Sequence, residues 1–244
     1  MKRNQQVALV SGSTGGIGKA IAQQLVLDGY IVIQNSRSIV SPNELVGHDH
    51  VVADVTNEIE CRKLVKEVVQ RHGKLNLLVC NVGSGRSQSY EASTTDEWSH
   101  FFSLNLYSTI FLVSSALESL IGTKGNVVAI SSICGTDPTI EAPVGYTTAK
   151  AGLEMFMKTM AARNGKLGVR FNVVSPGNVM FDGSVWEQKM QSNRLEIIAY
   201  LEHQVPLGKF IEPQDIARAV SFLAGPSGSN ITGVVLPVDG GQSI

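Results

Sequence analysis

The segment Val7-Ala8-Leu9-Val10-Ser11-Gly12-Ser13-Thr14-Gly15-Gly16-Ile17-Gly18 joins a short apolar run to a glycine-rich loop. Residues 17–27 follow with apolar side chains at helical spacing, so the pattern predicts a strand, a tight turn and a helix. Glycines let the backbone turn sharply and bring its N–H groups close to a phosphate, and a helix N-terminus adds partial positive charge. The spacing G-x-x-x-G-x-G at this place predicts a dinucleotide-binding loop; the alternative is a tight turn that binds nothing.

Short, mostly β-branched runs alternate along the chain with longer segments of helical periodicity. The runs are Val7–Val10, Ile31–Ile33, Val51–Ala53, Leu77–Cys80, Val127–Ile130, Phe171–Val174 and Val234–Val238, and the helical patterns are Ile17–Leu27, Ile59–Arg71, Trp98–Leu120, Tyr146–Arg163 and Pro213–Leu223. Strands that are apolar throughout are typical of a parallel sheet buried on both faces. The sequence therefore predicts an α/β protein with a Rossmann-type doubly wound sheet of about seven strands in three α/β/α layers. We expect residues 1–244 to form a single domain, with 181–205 as an inserted lid of one or two helices over the substrate.

The composition is that of an ordinary globular protein, with 43% hydrophobic residues, 17% charged residues and a net charge of −1. No basic stripe is present, so we expect no nucleic-acid partner. The cysteines Cys61, Cys80 and Cys134 form no C-x-x-C pair and are expected to be reduced thiols that pack in the core. No signal peptide and no stretch of about 20 apolar residues is evident, so we expect a cytoplasmic protein without a membrane partner.

The residues after the second predicted strand bear on which dinucleotide binds. Gln34-Asn35-Ser36-Arg37-Ser38 lies where an NAD enzyme carries an Asp or Glu for the ribose 2′-hydroxyl, and it contains no carboxylate. A guanidinium flanked by hydroxyls suits a 2′-phosphate, so Ser36 and Arg37 favour NADP(H). NAD(H) is the alternative if Arg37 is a solvated loop residue. Asp54, after the third strand, is either an acceptor for the adenine amino group or a turn or cap residue.

Tyr146 and Lys150 lie four residues apart at the start of a predicted helix, so they share one helix face. A nearby ammonium favours the phenolate, which predicts a lowered pKa for Tyr146. A tyrosine tuned in this way can donate a proton to a carbonyl or remove one from an alcohol. Upstream, a strand ends in Ile130-Ser131-Ser132, and either serine could bind the substrate oxygen. Ser132 is the first choice and Ser131 the alternative.

Together these motifs resemble those of the short-chain dehydrogenase/reductase family, and among its members the 3-oxoacyl-[acyl-carrier-protein] reductases. The resemblance covers nearly the whole chain. The similar segments, in the family's order, are Ser11–Gly18 (T-G-x-x-x-G-I-G), Asp54-Val55 (D-V), Cys80–Gly83 (N-N-A-G), the helix asparagine Asn105, the set Ser132, Tyr146 and Lys150, Val169–Gly177 (V-R-x-N-x-x-x-P-G), Ile231–Gly233 and Val238–Gly241.

The resemblance implies a role for each matching residue. Tyr146 would be the general acid/base, Lys150 would lower its pKa and bind the nicotinamide ribose, Ser132 would orient the carbonyl, and Asn105 would hold a water of a proton relay. Val179 would meet the nicotinamide carboxamide through its backbone. The implied cofactor-binding set is Gly12, Ser13, Thr14, Gly16, Ile17, Gly18, Ser36, Arg37, Asp54, Val55, Asn81, Gly83, Tyr146, Lys150, Pro176, Gly177 and Val179.

The resemblance implies a nicotinamide-dependent carbonyl reductase or alcohol dehydrogenase, with a 3-oxoacyl thioester as the best substrate class, and Arg37 favours NADP(H) as its cofactor. The alternatives are a sugar or polyol dehydrogenase of the same family and a dinucleotide-binding sensor or scaffold without turnover. The family usually self-associates through its last helix and C-terminal signature, which implies a homotetramer.

Several residues depart from the family pattern or stand outside it. The interval from Ser132 to Tyr146 is one residue longer than usual, and the run 178–182 places Phe181 and Asp182 where the family often has a threonine for the cofactor. His48 and His50 form an H-x-H pair, but a metal site needs three or four ligands, so we expect no metal. Trp186 either lines the substrate pocket or anchors the lid, and Arg86 and Tyr90 are candidates for the border of the pocket.

Overall fold

The computed structural model describes residues 5–41, 45–86, 94–137 and 142–244. Within them the strands form one parallel sheet in the order β3-β2-β1-β4-β5-β6-β7. The strands are β1 (Val7–Val10), β2 (Ile31–Ser36), β3 (Asp49–Val52), β4 (Leu77–Cys80), β5 (Asn126–Ile130), β6 (Arg170–Pro176) and β7 (Val235–Val238). This sheet confirms the predicted Rossmann-type α/β fold.

Helices cover both faces of the sheet. They are α1 (Gly16–Leu27), α2 (Glu58–His72), α3 (Thr95–Phe102), α4 (Ser108–Thr123), α5 (Val144–Asn164), α6 (Val185–Ser192), α7 (Arg194–Gln204) and α8 (Pro213–Ala224). Side chains from α1 and α8 share one apolar cluster with one face of the sheet, and side chains from α2, α4 and α5 share a second cluster with the other. The central strands are therefore buried on both sides, which is why their sequences are apolar throughout.

The segment predicted as one helix over Trp98–Leu120 is interrupted in the structure. Helix α3 begins at the capping box of Thr94 and Glu97, and a π-helical turn over Ser103–Tyr107 separates it from α4. π-Helical turns inside helices often mark functional sites. This turn places Asn105 in the protein interior.

The same helical run, Thr95–Thr123, is long and apolar enough to cross a membrane by length and composition alone. The sequence had predicted no segment of that kind. Phe101, Leu112 and Leu120 on this run are buried in the interior. Leu112 and Leu120 pack in the apolar cluster beneath the sheet, and 39% of the apolar window is buried, so interior packing accounts for part of its apolar character.

Two strands continue beyond the apolar runs that predicted them. β2 includes Gln34 and Asn35, which are buried, and β6 continues through Ser175 and Pro176. Buried polar side chains are tolerated where they are hydrogen-bonded. Here Gln34 Oε1 accepts from the backbone of Val46 and Gly47, and Asn35 Nδ2 donates to two backbone carbonyls.

The strand order reverses between β1 and β4. Strands β2 and β3 lie on one side of β1, and strands β4 to β7 lie on its other side. In an open parallel sheet, ligands bind in the crevice that such a reversal opens at the carboxyl ends of the strands. The glycine loop follows β1 at that edge. The fold therefore brings the loop and the residues after β4, β5 and β6 to one side of the molecule.

The glycine loop supplies a stability test of this geometry. A Cβ at Gly18 would lie 2.3 Å from the Gly12 carbonyl oxygen and 2.9 Å from Ser13 Cα, so the backbone of the loop would have to move. We expect Gly18→Ala to lower the free energy of unfolding by about 1–3 kcal/mol, measured by urea denaturation.

The matched control is Gly15→Ala in the same loop. A Cβ at Gly15 meets nothing within 4 Å, and its φ of −153° suits any residue. We expect its stability to stay within about 0.5 kcal/mol of the parent protein. Equal losses in the two variants would show that Gly18 is not packed as described.

Candidate active site

A cleft of about 430 Å³ opens at the carboxyl edge of the sheet. Its walls come from the residues after β4, β5 and β6, from the start of α5 and from the segment that contains α6 and α7. The described lining includes Ser132, Tyr146 and Lys150 together with Asn81 and Gly83. The structure thus brings most of the predicted catalytic residues into one cavity.

Helix α5 positions Tyr146 and Lys150 on its first two turns. Lys150 is buried, and its Nζ lies 5.8 Å from the centre of the Tyr146 ring. The same Nζ donates to the Ile130 carbonyl oxygen at 2.9 Å, at the end of β5. The predicted pair therefore converges, with the ammonium anchored to the sheet beside the tyrosine.

The protonation states differ from the prediction. Burial raises the pKa of Tyr146 to about 12, and a hydrogen bond with Ser132 opposes this rise. Burial also lowers the pKa of Lys150 to about 8, against the opposing effect of the Glu154 carboxylate. The pKa of Tyr146 is therefore raised where the sequence predicted a lowered one, and burial is the largest cause of the change. Burial thus favours the neutral phenol form of Tyr146.

The two candidate serines point to different partners. The Ser132 side chain hydrogen-bonds to Tyr146 and accepts from the backbone N–H of Cys134 at 3.3 Å. The Ser131 hydroxyl donates to Glu154 Oε1 at 2.8 Å. Ser132 therefore lies beside the tyrosine, whereas the Ser131 hydroxyl donates its hydrogen bond to Glu154 on α5.

Asn105 is fully buried in the π-helical turn. Its Oδ1 accepts from the backbone N–H of Ser84 at 2.9 Å, and its Nδ2 donates to the carbonyls of Ser84 and Phe101. A Cβ added to Gly83 would lie 2.7 Å from Asn105 Oδ1 and 2.9 Å from Lys150 Nζ. Glycine at 83 therefore lets the segment after β4 pass directly between the asparagine and the lysine.

The glycine loop is held by side chains from neighbouring strands. Asn81 Nδ2 donates to the carbonyls of Ser11 and Gly12, at 3.1 and 3.0 Å. Ser13 is buried, and its hydroxyl donates to Val10 and accepts from the Asn35 N–H. Asn81 and Ser13 therefore support the shape of the loop with their side chains, although both were predicted to contact the dinucleotide.

The loop itself has features that suit a bound pyrophosphate. No side chain caps the N-terminus of α1, whereas Asn57 caps α2 and Thr94 caps α3. Open space surrounds Gly15, so a ligand can approach its backbone. Uncapped N–H groups at a helix start bind anions readily. The loop residues Thr14, Gly16 and Ile17 are partly buried around this point.

At the far end of β2 lie the residues predicted to select the dinucleotide. Arg37 is exposed, and the Ser36 hydroxyl donates to the Ser38 carbonyl and lies 2.8 Å from His50 Nε2. Asp54 Oδ1 accepts from the backbone and hydroxyl of Thr56, which is the turn role that the sequence left open. Val55 beside it is buried in the apolar core.

The segment after β6 lines the cleft from Pro176 to Val179. An isolated parallel β-bridge joins this segment to Ile211. The Ile211 N–H donates to the Asn178 carbonyl and the Met180 N–H donates to the Ile211 carbonyl, so the backbone groups of Val179 make neither bond. The Phe181 ring packs against Gly16 at the start of α1, so closely that a Cβ on Gly16 would lie 2.7 Å from the ring. Phe181 thus packs on the glycine loop at the point where the family often has a threonine.

Residues 181–205 contain two helices, α6 and α7, and their aromatic side chains join them. Trp186 stacks on Tyr200 with ring centres 5.2 Å apart, and Phe210 packs against the same indole at 5.6 Å. Trp186 both lines the cleft and anchors this segment. Arg86, also in the lining, donates to the Gly183 carbonyl across the cleft. Tyr90 lies outside the described residues.

Two residues near the site were not predicted. Glu154 is buried one helical turn beyond Lys150, and Cys134, expected in the core, lines the cleft instead. The other cysteines, Cys61 and Cys80, are buried as predicted. His48 and His50 bond to the backbone of Val32 and to Ser36, and no cluster of three metal-ligating side chains occurs within the described residues.

Comparisons with known proteins agree with this geometry. A family model described as enoyl-(acyl carrier protein) reductase matches residues 12–243. The 3-oxoacyl-[acyl-carrier-protein] reductase of Haemophilus influenzae is 31% identical over 242 residues, which are 97% of this chain and 97% of that protein. The acetoacetyl-CoA reductase of an Acinetobacter strain is 28% identical over 248 residues, which are 97% of each chain. The solved structure of Pseudomonas aeruginosa RhlG with NADP has a TM-score of 0.87 at 25% identity, over 98% of this chain and 96% of that one.

The family model spans nearly all of the chain, and the sheet order, the glycine loop and the cleft residues agree with it. A curated relative above 30% identity covers the chain to the same extent. This chain belongs to the short-chain dehydrogenase/reductase family of oxidoreductases.

Proposed function

We propose that this protein is an NADPH-dependent reductase of ketones, and that its substrates are 3-oxoacyl thioesters. The observation that supports the proposal most directly is the convergence of Ser132, Tyr146 and Lys150 in one cleft beside the glycine loop. A neutral phenol, a hydroxyl and an ammonium at one point are the groups needed to protonate a carbonyl oxygen. Oxidoreductases related to this chain supply the hydride from a nicotinamide.

In the proposed reaction the nicotinamide, when bound, supplies a hydride to the carbonyl carbon. Tyr146 donates its proton to the carbonyl oxygen, and Ser132 holds that oxygen by a hydrogen bond. Burial, which raises the pKa of Tyr146 to about 12, favours the protonated phenol that the reduction requires. Lys150 stabilises the phenolate left behind. Asn105 would hold a water molecule through which Tyr146 regains its proton.

We assign the dinucleotide to the glycine loop and to the cleft wall after β6. Gly12 to Gly18 and the uncapped start of α1 would hold the pyrophosphate, and the backbone groups of Val179, which do not bond to Ile211, would meet the carboxamide. Asp54, Asn81 and Gly83 would flank the adenosine and the nicotinamide ribose. Arg37 at the end of β2 supports a preference for NADP(H), because its exposed guanidinium can pair with a 2′-phosphate.

The substrate class is supported by the opposite wall of the cleft. Arg86 and Lys189 line it, and Lys189 Nζ lies 4.5 Å from the centre of the Trp186 ring. Thioester carriers bear phosphate groups, which cations attract, while their acyl chains need apolar walls such as Trp186 and Phe181. We propose that residues 181–205 act as the lid that covers this substrate.

We also propose that the protein is a cytoplasmic homotetramer. β7 lies at an edge of the sheet, and Phe222 on α8 is 45% exposed. An unpaired strand edge and an exposed large aromatic ring suit self-association. Analytical ultracentrifugation is expected to show a particle of four chains of 26.2 kDa each, and a monomer at micromolar concentration would contradict the proposal.

Replacement of the tyrosine tests the proposed chemistry. We expect Tyr146→Phe to lower kcat for reduction of a 3-oxoacyl thioester by about 10²- to 10⁴-fold, because the proton donor is lost. NADPH affinity, followed by cofactor fluorescence, should change little.

The matched control is Tyr107→Phe, since Tyr107 is exposed and lies outside the cleft lining. This variant should keep the full rate. If the parent protein binds NADPH but reduces no member of a broad carbonyl panel, the protein is a dinucleotide-binding scaffold and the proposed function fails.

Replacement of the arginine tests the cofactor preference. We expect Arg37→Ala to weaken NADPH binding by about tenfold or more, because a charge-assisted hydrogen bond contributes about 1.5–3 kcal/mol. NADH binding should be nearly unchanged. The control is Arg163→Ala, which removes an exposed arginine at the far end of α5. Equal losses for NADPH and NADH would refute the role of Arg37.

A further inference from the structure

Glu154 is a buried ionisable residue that the proposed reaction does not use. Glu154 is 4% exposed, and it lies on α5 four residues beyond Lys150 and eight beyond Tyr146. Residues at this spacing share one helix face. Carboxylates are almost never buried without a partner. The position of Glu154 therefore calls for a structural or electrostatic reason.

Two hydrogen bonds join Glu154 to the segment that follows β5. The Ser131 hydroxyl donates to Oε1 at 2.8 Å, and the Thr136 hydroxyl donates to Oε2 at 3.0 Å. Ser132 lies between these two residues in the chain. The carboxylate thus fastens both ends of the short segment that carries the substrate-facing serine.

The local backbone fits this arrangement closely. The segment forms a 3-10 turn over Ile133–Gly135, and a Cβ at Gly135 would lie 2.6 Å from Glu154 Oε1. The turn therefore packs directly on the carboxylate, and a glycine at that position leaves room for it. Glu154 and the turn form one packed unit at the base of the cleft.

The charge of Glu154 also acts on Lys150. Burial lowers the pKa of Lys150 to about 8, and the carboxylate of Glu154 raises it. The other titratable groups around the lysine are Tyr146 on the same helix and Cys134 on the 3-10 turn, while Asn105 beside it is uncharged. Burial raises the pKa of Glu154, and the hydroxyl bonds and the charges of Lys150 and Lys158 oppose this rise.

We infer that Glu154 is a positioning residue that holds the Ser132 segment against α5 and keeps Lys150 cationic. The inference rests on the proposed function for the roles of Ser132 and Lys150. It adds a fifth residue to Ser132, Tyr146, Lys150 and Asn105, one that touches neither substrate nor cofactor. Two variants separate its two effects: Glu154→Gln keeps the length and removes the charge, and Glu154→Asp keeps the charge and loses the reach.

The first experiment measures kcat for reduction against pH in both variants. Lys150 acts as a cation, so its contribution is present below its pKa and lost as pH rises through about 8. In Glu154→Gln the pKa of Lys150 falls further, so we expect the alkaline limb to move about one pH unit towards acid. The ratio of kcat at pH 8 to kcat at pH 6 should fall about fivefold, because the cationic fraction of Lys150 at pH 8 falls from about a half to about a tenth. In Glu154→Asp we expect a lower kcat at every pH, while the alkaline limb of the profile stays at the same pH as in the parent protein.

Thr136→Val is the matched control, because it removes one hydroxyl bond and leaves the carboxylate intact. It should lower kcat modestly without moving the alkaline limb. A Glu154→Gln profile that superimposes on the parent profile would overturn the electrostatic part of the inference. A Glu154→Asp variant with the parent kcat would overturn the bracing part.

A second measurement does not depend on turnover. NMR of the full chain labelled with ¹³C at lysine Cε follows the Lys150 titration, and Lys150→Met assigns the signal. We expect a midpoint near 8 in the parent protein and a lower midpoint in Glu154→Gln. An unchanged midpoint overturns the electrostatic part even if the proposed substrate is wrong. If Glu154→Gln does not fold, as judged by circular dichroism, a parent-like Lys150 midpoint in Glu154→Ala overturns that part instead.

Discussion

Three turns of helix α5 contact consecutive residues at the end of strand β5, and the active-site cleft is built on these contacts. Lys150 Nζ bonds to the Ile130 carbonyl, the Glu154 carboxylate accepts from Ser131, and Tyr146 hydrogen-bonds to Ser132. The three helix side chains thus bond to three successive residues at the end of β5, namely Ile130, Ser131 and Ser132. In a low-dielectric interior such bonds are strong, and an unpaired partner is costly. The strand end and the helix are therefore fixed in one register.

A second set of buried polar contacts holds the glycine loop in the same frame. The Ser11 hydroxyl accepts from the Asn81 N–H, the Asn81 side chain donates back to the loop, and Ser13 bonds to Asn35 on β2. These residues come from three neighbouring strands at the carboxyl edge of the sheet. Because the loop is hydrogen-bonded to the residue after β4, and β4 pairs with β5, the glycine loop and the Ser132–Tyr146–Lys150 set lie along one hydrogen-bonded edge of the sheet.

The sequence was sufficient for the features that depend on local pattern. Apolar runs located all seven strands, and the four-residue interval predicted that Tyr146 and Lys150 converge. Features that depend on tertiary pairing could not be predicted. Gln34 and Asn35 extend β2 only because distant backbone groups satisfy their amides. Lys150 and Glu154 have the spacing of an exposed ion pair on a helix surface. Glu154 is buried because the segment after β5, with Ser131 and Thr136, packs over it.

The protonation of Tyr146 is the point at which the sequence argument and the structure diverge, and the divergence bears on function. A lysine one turn away was expected to lower the pKa of the phenol, yet burial raises it to about 12 and lowers that of Lys150 to about 8. Both changes have the same main cause, because burial disfavours the charged form of each group. A phenol held neutral is a proton donor. Burial favours the neutral form of Lys150, whereas the Glu154 carboxylate favours its cationic form. The chemistry of the cleft therefore depends on Glu154 as well as on the residues that face the substrate.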